Sequence, residues 1–251
     1  MIQETVVRAQ ALRKAYRTGA VSSPVLRGID LTVARGECLF LVGPSGSGKT
    51  TLLSILGCVL SPDSGTLEIL GDDVTRFSTT GQARFRREKI GFVFQRFHLF
   101  DALTALENVQ VALDLMNGTS SRSRIEALEL LSQVGLAGKS ASRVTQLSMG
   151  QRQRVALARA LAGNPELILA DEPTASLDAE AGFQAMHVLK ELCHSLNKTA
   201  IVVTHDSRIF RLADRILKVV DGTIVAESSI GRETPGDSVF PPADLASSGA
   251  A

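Results

Sequence analysis

The sequence predicts an α/β fold: a mainly parallel sheet at the core, an antiparallel β subdomain towards the N-terminus and an inserted helical subdomain. Three observations predict it. "CLFLV" (Cys38–Val42), "LILA" (Leu167–Ala170) and "AIVV" (Ala200–Val203) are continuously apolar, the pattern of strands buried on both faces of a parallel sheet. "IDLTV" (Ile29–Val33) and "TLEIL" (Thr66–Leu70) alternate apolar with polar residues, as half-buried antiparallel strands do. Residues 101–145 carry helical signals and almost no strand signal, which places a helical subdomain at about residues 96–160.

In chain order, the antiparallel strand Ile29–Val33 precedes the buried strand Cys38–Val42, which ends at Gly43. A helix over Lys49–Leu60 follows, then Thr66–Leu70. The alternation in "FVF" reads as a pleated strand leading to Gln95, with Phe92 and Phe94 in the core. Helical patterns cover Ala105–Met116, Ser123–Val134, Gln151–Ala162 and Glu180–Leu196. "ILKVVDGTIV" closes the fold with a hairpin turning at Asp221-Gly222. Residues 1–230 thus form one domain, and residues 231–251, rich in Gly, Pro, Ser and Ala, read as a disordered tail.

Composition narrows the partners. A net charge of +1 provides no basic field, so nucleic acid is not an expected partner. The local cluster Arg84, Arg86, Arg87 and Lys89 reads as a solvated helix face. Cys38, Cys58 and Cys193 are odd in number and widely spaced, which fits a reducing compartment without disulfides or a metal site. The opening MIQETVVRAQ lacks the basic and apolar regions of a secretory signal. The most apolar region, Cys38 to Leu60, is interrupted by Lys49 and a Gly/Ser/Pro loop and cannot span a bilayer. Any membrane role must come through a partner.

The chemistry begins at "GPSGSGKT", comprising Gly43, Pro44, Ser45, Gly46, Ser47, Gly48, Lys49 and Thr50. It matches G-x-x-x-x-G-K-[ST] between a buried strand and a helix, the phosphate-binding P-loop. Its glycines let backbone N–H groups wrap phosphate oxygens, Lys49 reaches the terminal phosphates, and the Thr50 hydroxyl can ligate Mg²⁺. The helix that follows, with Thr51 in its first turn, points its positive end at the same anion. "LILADE" ends a second buried strand at the carboxyl edge, where parallel sheets bind ligands. Asp171 is placed there to hold Mg²⁺, and Glu172 to polarise an attacking water.

"LSMGQRQRVALARAL" (Leu147–Leu161) narrows the family. Ser148 and Gly150 open a helix and so create a second anion-binding helix start. The stretch resembles the LSGGQ signature of ATP-binding cassette (ABC) ATPases, and the resemblance runs to about Gly222. It implies that Gln95 is the Q-loop residue sensing Mg²⁺ and the γ-phosphate, that Asp178 in "SLD" belongs to the D-loop, and that His205 in "VVTHD" is the switch histidine. It also implies that Tyr16 stacks on adenine, and that Ser148, Gly150 and Gln151 cap the nucleotide held by another subunit's P-loop. Two subunits would then enclose two MgATP, most simply as a homodimer.

"PVLRGIDLTVARGE", "LTALENV" and "LADEPTASLD" look most like the transporter group containing the LolD and MacB types. That group implies an ATPase at the cytoplasmic face of the inner membrane, bound to an integral-membrane permease and driving lipoprotein release, efflux or mechanotransmission. The alternative is a soluble cassette ATPase acting on DNA or ribosomes. Against it stand the single cassette and the lack of a long coiled-coil insertion or zinc-binding cysteines.

Met149 departs from the signature's first glycine; either it packs harmlessly or it crowds the incoming nucleotide. Phe97, Leu99 and Phe100 follow Gln95, where the resemblance places a hinge and a groove for the permease. Phe97 is therefore expected to be a docking anchor, whereas Phe100 serves either docking or packing equally well. His187 and His194 read as surface residues, and His98 has no metal-ligand companions.

Overall fold

The computed structural model describes residues 4–19, 21–117 and 120–230. The expected tail at 231–251 lies outside them. The chain runs β1 (Thr5–Thr18), β2 (Val21–Ala34), β3 (Cys38–Val42), α1 (Lys49–Leu56), β4 (Ser64–Ile69), β5 (Asp72–Asp73), α2 (Thr79–Lys89) and β6 (Ile90–Val93). It continues through α3 (Ala105–Asn117), α4 (Ser121–Gln133), α5 (Met149–Leu161), β7 (Leu167–Asp171), α6 (Ala179–Ser195), β8 (Thr199–Val203), β9 (Arg215–Val220) and β10 (Thr223–Ser229).

Two sheets form, as the patterning requires. The larger has the order β10-β9-β3-β8-β7-β6; only the β9–β10 pair is antiparallel. The smaller, β2-β1-β4-β5, is antiparallel throughout. The continuously apolar strands are those with a core on each side. In β3, Cys38, Phe40 and Val42 join one apolar cluster, while Leu39 and Leu41 join the other. In β8, Ala200 and Val202 face the first and Ile201 and Val203 the second. The first cluster packs α3, α4, α5 and α6 against the sheet; the second packs α1 and the antiparallel sheet against its opposite face.

The terminal hairpin turns at Asp221 and Gly222, both at positive φ (46° and 76°), which suits a two-residue turn matching the strand twist. Helix α1 ends at Leu56 rather than Leu60. Beyond it, Gly57 lies so close to Phe92 that a Cβ would sit 2.2 Å from the ring. Cys58 then turns at φ 53°, with its carbonyl held by Arg86 Nη1 at 2.5 Å.

Helix α2 escaped the pattern of apolar residues because Phe85 is its one buried residue. Its basic residues are partly engaged: Arg84 bonds Glu88 at 2.9 Å, and Lys89 bonds Glu166 at 2.8 Å. The reading of Phe92 and Phe94 as core residues needs correction. Val93, between them, is fully buried, whereas both phenylalanines are half-buried. Phe92 still packs against the second apolar cluster, whereas Phe94 lies beyond the end of β6; the two rings stack with centroids 5.5 Å apart, and His98 stacks a further 4.7 Å from Phe94.

Candidate nucleotide-binding and hydrolysis site

The site starts where β3 leaves the sheet. Gly43 has φ 144°, and a Cβ there would lie 2.0 Å from the Val219 carbonyl oxygen. Only glycine lets the chain pass. Gly48, at φ 99°, is the N-cap of α1. The loop between them curls over the Lys49 ammonium, which donates to the carbonyls of Gly43 (2.8 Å) and Pro44 (2.7 Å). Burial lowers the pKa of Lys49, against the opposing pull of Glu172 and Asp171.

An open cleft of about 1290 Å³ lies over this loop. Gly43 to Thr51 (without Ser47) line it, together with Tyr16, Gln95, Glu172 and His205. Tyr16 is 46% exposed, and its hydroxyl lies 3.5 Å from Thr51 Oγ1. An aromatic face is thus available at one end, with Val25 among the neighbouring cleft residues.

Strands β7 and β8 end together, because Asp171 is in register with Val203. The Thr50 hydroxyl donates to Asp171 Oδ1 at 3.3 Å, and burial pushes the Asp171 carboxyl above its ordinary pKa. Two hard oxygen donors therefore converge from different elements, a donor set suited to Mg²⁺. Glu172 adopts φ 47° with its N–H donating to Val203 O at 2.9 Å. This left-handed turn directs the carboxylate towards β8, where Oε1 lies 2.9 Å from His205 Nδ1. The His205 N–H also reaches Glu172 Oε2 at 3.4 Å. The loops that follow β7 and β8 thus present a carboxylate and an imidazole side by side to the cleft.

Ser148, Gly150, Gln151 and Asp178 are not among the residues lining this cleft. Ser148 caps α5: its Oγ accepts from Gln151 N (3.3 Å), and Gln151 Oε1 accepts from Ser148 N (3.0 Å). Asp178 caps α6 by accepting from Ala181 N at 2.8 Å. The two helix starts touch, since a Cβ on Gly150 would lie 3.1 Å from Ala181 Cβ. Met149 is the first residue of α5 and 44% exposed.

Several residues with roles here had no motif to announce them. Ser207, Phe210 and Lys218 line the cleft. Asn108, fully buried on α3, accepts from Phe100 N (2.7 Å) and donates to Phe100 O (3.1 Å). Phe97 corrects an expectation: it is 7% exposed and so is not a free docking anchor, whereas Phe100 is 53% exposed. His187 and His194 are exposed, as expected, and His98 is exposed too.

A parallel sheet whose central strand enters a glycine-rich loop and a helix, with carboxylates at the end of a neighbouring strand, defines a P-loop nucleotide-binding ATPase. A family profile described as ABC transporter matches residues 26–175. The chain belongs to the ABC transporter family, as an ATP-hydrolysing cassette.

Among curated relatives it is 46% identical over 222 residues to the lipoprotein-releasing system ATP-binding protein LolD of Anaeromyxobacter dehalogenans, covering 88% of this chain and 93% of that one. It is 43% identical over 228 residues to the macrolide export ATP-binding/permease protein MacB of Vibrio parahaemolyticus, covering 90% of this chain but 35% of that longer protein. Among solved structures, the dimeric post-hydrolysis state of the ATP-binding cassette MJ0796 bound to ADP and Pi superposes with a TM-score of 0.82 at 40% identity. The match covers 90% of this chain and 100% of that one.

Proposed function

We propose that this chain is the ATPase subunit of a membrane transporter of the lipoprotein-release or macrolide-export kind, working as a dimer around two MgATP on the cytoplasmic face of the inner membrane. The observation that carries the reading is the Glu172–His205 pair facing the P-loop across one cleft. In this reading Glu172 takes the proton of the attacking water. His205 orients Glu172 and contacts the γ-phosphate, and Lys49 exchanges its loop carbonyls for phosphate oxygens. Tyr16 stacks on the adenine, while the backbone from Gly43 to Thr51 cradles the phosphates. Thr50 and Asp171 hold the magnesium site with Gln95; when bound, Mg²⁺ neutralises charge developing on the transferred phosphoryl group.

Ser148, Gly150, Gln151 and Asp178 serve the nucleotide of the second subunit, in keeping with their place outside this subunit's own cleft. No helix among the described residues is long and apolar enough to cross a membrane. In this reading attachment runs through an integral-membrane permease, as the likeness to LolD and MacB suggests, and the exposed Phe100 is the candidate anchor.

Glu172→Gln tests this reading. General-base assistance is typically worth 10²–10⁴-fold, so hydrolysis falls by about that factor while MgATP still binds. Size-exclusion chromatography with ATP then finds the variant as a stable dimer. A monomer with wild-type turnover would overturn both the base and the dimer.

A further inference from the structure

The segment after Gln95 holds an unusual backbone. Phe97 (φ 58°) and His98 (φ 48°) are consecutive non-glycine residues in the left-handed region. That conformation costs free energy for each and persists only where surrounding contacts enforce it. The contacts are on three carbonyls. Arg159 Nη2 donates to Phe97 O at 2.6 Å, and its Nη1 donates to His98 O. From another loop, Ser176 Oγ donates to Gln95 O at 3.2 Å.

Arg159 is otherwise hard to explain. It lies on α5 about three turns from Ser148, mostly out of solvent, and burial lowers its pKa with no carboxylate offsetting the charge. A guanidinium is a planar fork, able to bridge two adjacent carbonyls as a single ammonium cannot. A largely desolvated charge without a counter-ion is costly unless hydrogen bonds satisfy it, as the two carbonyls do here.

We propose that Arg159 is a positioning residue: it locks the left-handed Phe97-His98 pair and thereby ties Gln95 to the helix that begins with Ser148. A shift of α5 is then transmitted to the backbone just beyond Gln95 without passing through the cleft. The consequence for catalysis rests on Gln95 contacting the magnesium site, as proposed above; the locking itself does not.

The test uses the full chain. Arg159→Lys and Arg159→Gln are compared with wild type for amide hydrogen exchange at residues 97–100 and for the Mg²⁺ concentration giving half-maximal ATPase activity. Exchange is expected to quicken about tenfold in the Gln variant and less in the Lys variant, with the Mg²⁺ requirement rising in the same order. If Arg159→Gln fails to fold, Arg159→Lys carries the comparison, and exchange at residues 97–100 as slow as in wild type would overturn the proposal.

A suppressor separates this role from general packing. His98→Gly accepts the left-handed region without strain, so adding it to Arg159→Lys should restore part of the lost activity. Wild-type exchange in Arg159→Gln, or no restoration by glycine, would overturn the proposal. If Gln95→Ala leaves the Mg²⁺ requirement unchanged while exchange still responds to Arg159, the assignment of Gln95 fails and the lock stands.

Discussion

Residues within one short stretch divide by environment rather than by type. Phe97 and Phe100 are both phenylalanines three positions apart, yet one is buried and the other more than half exposed. Truncating a buried phenylalanine typically costs about 3–5 kcal/mol. Phe97 lies outside the two main apolar clusters, so the lower figure applies. For a chain of this size that corresponds to a fall of about 6–12 °C in melting temperature. Phe97→Ala should show that fall by calorimetry, while Phe100→Ala should melt within about 1 °C of wild type, as surface changes usually do. Equal melting of the two variants would contradict the burial. The sequence carried the aromatic crowding but not this division, because helical spacing says nothing about a backbone that turns through two left-handed residues.

At the scale of elements, the starts of α5 and α6 explain why the departure at Met149 is tolerable. The capping box needs Ser148 and Gln151 only, and Gly150 is the position pressed against Ala181. Met149, in the first turn and exposed, is free of both constraints. Met149→Gly should therefore change ATPase activity by less than about threefold, since a glycine costs a helix about 1 kcal/mol or less and less still at its end. A gain in activity with dimerisation at lower ATP would mean that the side chain crowds the partner's nucleotide. A clear loss would mean that methionine makes a favourable contact there. Helices α3 to α6 were legible from apolar spacing to within two residues at each end. Helix α2 was not, because a helix with one buried residue leaves no periodic trace.

At the scale of the whole molecule, the proposed dimer makes this cleft one half of a composite site. Lys49, Glu172 and His205 line it, whereas Ser148 and Gly150 lie elsewhere on the same chain. In a two-fold dimer each site would then combine the P-loop of one subunit with the signature of the other. This makes a complementation prediction. Lys49→Ala and Ser148→Arg should each abolish hydrolysis alone. Mixed in equal amounts, half of the dimers are heterodimers with one intact composite site of two, so about a quarter of wild-type activity should return. No recovery, with heterodimers present by native mass spectrometry, would place each site within a single subunit.

The sequence by itself determined the architecture and the inventory of chemistry. Strands packed on both faces must be apolar over their buried length, as Cys38–Val42, Leu167–Ala170 and Ala200–Val203 are, and a chain that wraps phosphate needs glycines at set positions. Those demands are local, so they are written locally in Gly43–Thr50, in "LILADE" and in the capped start of α5. What only the tertiary structure decided is which groups meet. Glu172 and His205 are brought to 2.9 Å by the shared register of β7 and β8 and by a left-handed turn at Glu172. Arg159 reaches the carbonyls beyond Gln95 because α5 packs beside β6, more than sixty residues earlier in the chain. Such contacts join side chains to backbone atoms, and every residue carries a carbonyl. A bond whose acceptor is common to all residues leaves no mark on the sequence at the accepting position, so it becomes visible only when the chain is folded.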